Sequence, residues 1–252
     1  MTVVLFWDID GTLLTTARAG ILAWEDAVAE VLGTLLSLER MHTAGLTDVE
    51  IAKEILHLYA VEPRTVLVQA LVRRYEERLP ARLPLRPGRV LPGVQEILGD
   101  LKDRPEAHSL LLTGNTAAGA RAKLTHYGLW PYFSGGAFAD DGDDRVGIAR
   151  HALAIAQKRF GPLALDDAYV IGDTPHDIAC GHAIGVRTIA VATGPHSVAD
   201  LAVHRPWWVM ERLPDPETFV RTVTQKPSPD WGGTGASRAG RGRQARARRK
   251  PS

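Results

Sequence analysis

Hydrophobic positions along the chain form short apolar runs that alternate with longer stretches in which apolar residues recur at helical spacing. Val3-Val4-Leu5-Phe6-Trp7, Leu110-Leu111-Leu112 and Tyr169-Val170-Ile171-Gly172 are too short for helices and read as strands buried on both faces; Val186-Arg187-Thr188-Ile189-Ala190-Val191 reads as one more core strand. Residues 19–32 carry Ile21, Leu22, Ala23, Ala27, Val28, Val31 and Leu32 on one helical stripe, with Gly33 as the stop. Thr47-Asp48-Val49-Glu50 has the capping-box pattern ahead of Ile51, Ala52, Ile55 and Leu56, so a second helix starts there. A third helical pattern covers about 66–79 and is expected to end before Pro80, because the proline-bearing stretch 80–88 cannot continue a helix. A further helix is expected over 116–126. No strand candidate of comparable strength interrupts residues 18–80, which therefore read as a helical insertion. Strands alternating with helices elsewhere predict an α/β fold with a parallel sheet covered on both faces.

Composition narrows the class. With 252 residues, 45% of them hydrophobic, the chain can bury a sizeable core, and no apolar run approaches the roughly 18 residues of a membrane span. A soluble protein is expected, and no membrane partner. The amino terminus enters a strand rather than a leader, and the single cysteine, Cys180, cannot form an internal disulfide; both fit a cytoplasmic location. Cys180 itself reads as a packing thiol, since no neighbouring base is evident. The formal net charge of +1 conceals an asymmetry. Lys226, Arg238, Arg241, Arg243, Arg246, Arg248, Arg249 and Lys250 against Asp230 give the end of the chain +7, leaving −6 to the remainder. Prolines and glycines intermix with those arginines, so residues 222–252 read as a disordered basic tail.

The chemistry lies where strands end. The first run passes directly into Asp8-Ile9-Asp10-Gly11-Thr12, two carboxylates one residue apart, and buried carboxylates at a strand end need a cation or hydrogen-bond donors to offset lost solvation. The second ends in Thr113-Gly114-Asn115, a hydroxyl followed by helix-start residues. The third ends in Gly172-Asp173-Thr174-Pro175-His176-Asp177, a carboxylate pair spaced by four. Between them, Asp143-Asp144-Arg145 puts a cation just before another predicted helix. In parallel α/β sheets ligands bind beyond the carboxyl ends of the strands, where all four segments fall.

These four segments, in this order, resemble the haloacid dehalogenase superfamily, whose members carry DxDGT, a Ser or Thr after the second strand, a Lys or Arg, and GDxxxD. The resemblance spans about residues 1–220 and is closest to the phosphoglycolate-phosphatase-like members. It implies a Rossmann-like, doubly wound core over residues 1–17 and 86–221 with an inserted α-helical cap over 18–85. It also implies a Mg²⁺-dependent phosphatase acting on a small phosphorylated metabolite. Asp8 would be the nucleophile that forms an aspartyl-phosphate, and Asp10 the acid that protonates the leaving oxygen and then activates water, a role that calls for shielding from solvent. Mg²⁺ would be held by Asp8, Asp173 and the backbone carbonyl of Asp10, with Asp177 orienting that set or holding a bound water. Thr113 and the amides of Gly114 and Asn115 would donate to phosphoryl oxygens. Relatives usually place Lys before Pro in the third segment; here Arg145 precedes Val146, and it is preferred to Lys123 and Lys158, whose helical settings read as solvated faces. Relatives also often write a basic residue before Thr-Asp in the cap, where this chain has Leu46.

Other functions compete. A dehalogenase of this superfamily needs neither the metal nor the second aspartate, and the presence of Asp10 argues against one. A phosphoglucomutase-like phosphotransferase would isomerise a sugar phosphate rather than release phosphate. The arginine-rich tail suits loose contact with nucleic acid, and equally a purely solvated appendage. His176 reads as a loop polar residue and Trp207-Trp208 as core packing, while Trp24 either lines the cavity or holds cap to core. Substrate identity and oligomeric state are not written in the sequence.

Overall fold

All five residues of the first strand are buried, odd-numbered side chains on one face and even-numbered on the other, which requires a layer of helices on each side. The computed structural model describes residues 2–35, 37–142 and 144–225. In chain order these form β1 (Val3–Trp7), β2 (Leu14–Thr15), α1 (Ala19–Leu32), α2 (Asp48–Leu58), α3 (Thr65–Arg82), β3 (Arg89–Val90) and α4 (Val94–Lys102). Then follow β4 (Ala107–Leu112), α5 (Ala117–His126), β5 (Gly136–Ala137), α6 (Arg145–Phe160), β6 (Ala168–Gly172) and α7 (Pro175–Ala183). The described chain ends with β7 (Arg187–Val191), α8 (Val198–Ala202), β8 (Trp208–Met210) and α9 (Pro216–Gln225).

Six strands make a parallel sheet in the order β5-β4-β1-β6-β7-β8. Val3, Leu5 and Trp7 pack with α4, α5 and α9 on one face, and Val4 and Phe6 pack with α6 and Cys180 of α7 on the other. This is the doubly wound, Rossmann-like arrangement expected from the strand pattern. The connections from β1 and its neighbour β6 run in opposite directions along the sheet, β1 leading to β4 on one side and β6 to β7 on the other, so a crevice opens beyond their carboxyl ends. Trp208 joins the first of these cores, and Cys180 is a buried packing thiol that burial pushes up to about 11.

Helices α1, α2 and α3 bury a separate apolar cluster. At its centre Trp24 and Tyr75 stack with ring centroids 4.1 Å apart, and Arg82 grips Asp26 through two hydrogen bonds of 2.5 and 2.6 Å. The chain enters and leaves this unit through a two-stranded antiparallel ribbon, Leu14 opposite Val90 and Thr15 opposite Arg89. Gly33 caps α1 in the left-handed region, and Thr47 with Glu50 closes the capping box of α2.

Two boundaries differ from the sequence reading. Helix α3 continues through Pro80 to Arg82, because a proline in the last turn forfeits one backbone bond without disrupting turns beyond it. The expected tail begins too early at 222: Thr222 and Val223 are buried in α9, which runs to Gln225, and residues 226–252 lie outside the described residues. Asp143 also lies outside them.

Candidate active site

Asp8 extends β1 by one residue, its N–H donating to the Ile171 carbonyl at 2.9 Å, so its side chain emerges between β1 and β6. Asp173 emerges just past β6, and Asp177 lies in the first turn of α7, where it closes a capping box with Thr174. One carboxylate oxygen from each of Asp8, Asp173 and Asp177 lies within 4.8 Å of the others, and all three residues are buried. Glycines make this crowding possible: a Cβ on Gly11, which has φ +84°, would sit 2.4 Å from Asp173, one on Gly194 1.7 Å from it, and one on Gly172 2.2 Å from Asp177.

Like charges in so small a space resist ionisation. Burial, and then Asp177, push Asp8 up to about 7, against the pull of Arg145 and a hydrogen bond from Thr113. Burial, and then Asp8 and Asp177, push Asp173 up to about 9, with Thr12 donating to it at 3.1 Å in partial compensation. Arg145, the first residue of α6, donates to Asp177 at 2.6 Å and to the Gly45 carbonyl at 3.0 Å. Burial opposes its charge, but Asp177 and Asp8 outweigh that and raise its pKa. A single guanidinium against three buried carboxylates leaves an excess of negative charge on hard oxygen donors, a set suited to a hard divalent cation.

Asp8, Asp10, Thr113, Gly114, Asn115, Arg145 and Asp173 line one cavity of about 240 Å³, with Asp177 directly behind. Its other wall comes from the helical unit and includes Trp24, Tyr75 and Asp48. Trp24 thus both lines the cavity and packs within that unit. Gly114 lets the two parts meet, since a Cβ there would be 2.9 Å from both Arg145 and the Leu46 carbonyl. Asp48 bridges them: its N–H donates to the Gly114 carbonyl at 2.8 Å, and its carboxylate accepts the Thr116 N–H at 2.8 Å. Burial pushes Asp48 up to about 7 in spite of Lys123 and Thr116.

Several expectations need correction. Lys123 is not on a solvated face: it is 5% exposed, and its ammonium donates to Asp10 at 2.5 Å and to Asn115 at 2.6 Å. Burial works against its charge, but Asp10, Tyr75 and Asp48 outweigh it and raise its pKa. Lys158 is exposed at the end of α6. Asp10 lacks the expected shielding, its side chain being 42% exposed and paired with Lys123. That side chain also stands apart from the three-carboxylate cluster. The Asn115 amide N–H is directed at the Thr113 hydroxyl at 3.3 Å, and its side chain ties Thr113 at 2.8 Å to Asp10 at 2.9 Å. Thr116 caps α5, which leaves the Thr113 hydroxyl to face the site. His176 is exposed and packs on Gly45. Sequence reasoning missed Asp48 and Tyr75, and it mistook Lys123 although the lysine shares the buried stripe of α5 with Gly119 and Ala120.

Comparison with known proteins agrees with this geometry. Residues 5–182 match the haloacid dehalogenase-like hydrolase family. The chain is 28% identical over 216 residues to the probable phosphatase IndB of Dickeya dadantii, covering 84% of this chain and 90% of that protein. In fold it is similar to a predicted phosphatase from Clostridium acetobutylicum, with TM-score 0.68, 17% identity and coverage of 90% of this chain and 100% of the other. It is also similar in fold to a predicted phosphoglycolate phosphatase from Haemophilus somnus, with TM-score 0.67, 18% identity and coverage of 88% and 98%.

Proposed function

The chain belongs to the haloacid dehalogenase-like hydrolase family, and from that premise we propose that it is a Mg²⁺-dependent phosphatase that hydrolyses a small phosphomonoester through an aspartyl-phosphate on Asp8. The observation that carries this reading is the buried trio Asp8, Asp173 and Asp177, whose carboxylate oxygens lie within 4.8 Å of one another beside Arg145 and Thr113.

Asp8, Asp173 and the backbone carbonyl of Asp10 would hold the ion, with Asp177 orienting the set through Thr174 and Arg145. Bound there, a divalent ion offsets the charge of the nucleophile and of the phosphoryl oxygens. Asp8 attacks phosphorus along the line of the departing oxygen, and Thr113 and Arg145 donate to the phosphoryl group as it transfers. Asp10 protonates the leaving alcohol and then takes a proton from the water that attacks the acyl-phosphate, which frees Asp8. Lys123 and Asn115 both bond its Oδ2, so Oδ1 is the oxygen left to face the ester. The wall formed by Trp24, Tyr75 and Asp48 covers the leaving group and limits water.

The test is phosphate release from an artificial aryl phosphate with Mg²⁺. Activity should vanish with Asp8→Asn or chelator, and acid-quenched wild-type enzyme should carry phosphoryl on Asp8. A phosphotransferase would instead convert one sugar phosphate into its isomer. A wild-type protein that releases phosphate from no ester in the presence of Mg²⁺ rules the proposal out.

A further inference from the structure

Lys123 belongs to the sheet-bearing core, yet part of what surrounds its ammonium comes from the helical unit. On the core side it donates to Asp10 at 2.5 Å and to Asn115 at 2.6 Å. Asp48 of α2 and Tyr75 of α3 complete its surroundings, and both favour its charge. Gly119, one turn before Lys123 on the same face of α5, makes room for them. A Cβ there would lie 3.3 Å from the Asp48 carboxylate and 3.7 Å from the Tyr75 ring.

An exposed lysine–aspartate pair holds neither partner firmly, because the lysine stem is flexible and water screens the attraction. Here the two ends differ: the Asp10 side chain is 42% exposed and that of Lys123 only 7%. Whatever stiffness the pair has therefore comes from the lysine end. A buried ammonium is costly unless carboxylates meet its charge, and the two that do so are Asp10 and Asp48. Of these only Asp48 is itself buried, and it is fixed at both its main chain and its side chain, by the Gly114 carbonyl and the Thr116 N–H.

We infer that Asp48 is a positioning residue for proton transfer by Asp10, acting through Lys123, so that the acid is held in register by the helical unit and not by the core alone. This rests on the phosphatase reading above. As the bond from phosphorus to the leaving oxygen breaks and the bond to Asp8 forms, a proton passes from Asp10 to that oxygen. Without the Asp48 charge, Lys123 is drawn toward solvent and takes Asp10 Oδ2 with it, and Oδ1 loses its aim. Esters of weakly acidic alcohols, which cannot leave without that proton, then suffer most. Esters whose leaving oxygen departs as a stable anion are spared.

The experiment compares phenyl phosphate with 4-nitrophenyl phosphate, similar in shape but unequal in need of a proton, in the full-length protein with Mg²⁺ at pH 8. The readout is kcat/KM, which covers the steps up to phosphorylation of Asp8 and excludes the later attack by water. The ratio of the nitrophenyl to the phenyl value should rise at least about fivefold from wild type to Asp48→Asn, a fraction of the hundredfold or more that a positioned acid supplies. Asparagine keeps an acceptor for Thr116 and the N–H for Gly114, so docking of the helical unit is retained. Gly119→Ala, whose Cβ presses on Asp48 and leaves its charge, should raise the ratio about twofold and decides the matter if Asp48→Asn does not fold. In Lys123→Met the ratio should already be raised, and adding Asp48→Asn should change it by less than about twofold. A merely structural role for Asp48 would slow both esters alike and leave the ratio where it was. An unchanged ratio in Asp48→Asn, or in Gly119→Ala where that variant decides, overturns the inference while the phosphatase reading stands. So does a further rise of about fivefold when Asp48→Asn is added to Lys123→Met, or a wild type whose ratio already equals that of Lys123→Met. Hydrolysis of neither ester by wild type overturns the phosphatase reading and this inference with it.

Discussion

Replacing Asp173 by Asn should make the metal-free protein more stable while abolishing its response to a divalent ion. Asp173 is 1% exposed and shares its space with Asp8 and Asp177, their oxygens within 4.8 Å. At that distance and an effective dielectric of about 20, a fully ionised pair costs about 3 kcal/mol. Partial protonation and the attraction of Arg145 reduce the net relief expected from the substitution to about 1–2 kcal/mol, or roughly 3–6 °C in Tm for a chain of this size. Asparagine still offers an oxygen to Thr12, so little else is lost. The sign with pH follows from linkage. Asp8 and Asp173 are pushed up to about 7 and about 9, above the ordinary carboxylate value, so the folded state keeps protons that the unfolded chain has released. Wild-type stability in chelator should therefore fall as pH rises through that range, and more steeply than in Asp173→Asn. Adding Mg²⁺ at about a hundred times its dissociation constant should raise wild-type stability by about 2.7 kcal/mol and leave the variant unmoved. Thermal melts at pH 6 and pH 8, with and without Mg²⁺, decide the matter. The reasoning is wrong if Asp173→Asn melts at or below wild type in chelator at pH 8, or gains as much from Mg²⁺.

Lys123→Met should lower kcat for an aryl phosphate by about tenfold with KM little changed, since charge-assisted bonds contribute about 1.5–3 kcal/mol and solvent at Asp10 argues for the low end; equal kcat in steady-state assays would contradict it. Gly194→Ala should weaken apparent Mg²⁺ affinity at least about tenfold, because its Cβ would stand 1.7 Å from the Asp173 carboxylate, and a titration of activity with Mg²⁺ reads this directly. A chain ending at Gln225 should keep full phosphatase activity and lose whatever low-salt duplex binding the full chain shows, as measured by fluorescence anisotropy; undiminished binding would clear the basic tail of any such role.

Residues whose role follows from position on their own element were legible in the sequence. Asp8 could be placed because an apolar run ends at it, Asp173 and Asp177 because four residues make one helical turn, and the Thr47–Glu50 box because capping is local. Lys123 and Asp48 were not legible in the same way. What each does depends on which helix face meets a partner far away in sequence, Asp10 in one case and Thr116 in the other. The stripe of Gly119, Ala120 and Lys123 carried a hint, but a lysine beside small residues reads equally well as a snorkelling surface side chain. The β2–β3 ribbon pairs only two residues per strand, too few for any alternation to register. The expected tail was begun too early because Thr222, Thr224 and Gln225 are polar, whereas Phe219 and Val223, one turn apart, mark the buried face of α9.

The chain departs from the sheet at Leu14–Thr15 and returns at Arg89–Val90, and those two stretches lie side by side. A length of polypeptide whose ends are stapled together can be lengthened, trimmed or exchanged for another without shifting the register of anything beneath it. Under the proposed mechanism, descendants of this gene can therefore retune the choice of alcohol between those two points while the aspartates at the strand ends stay untouched, so that selectivity and chemistry drift on separate clocks.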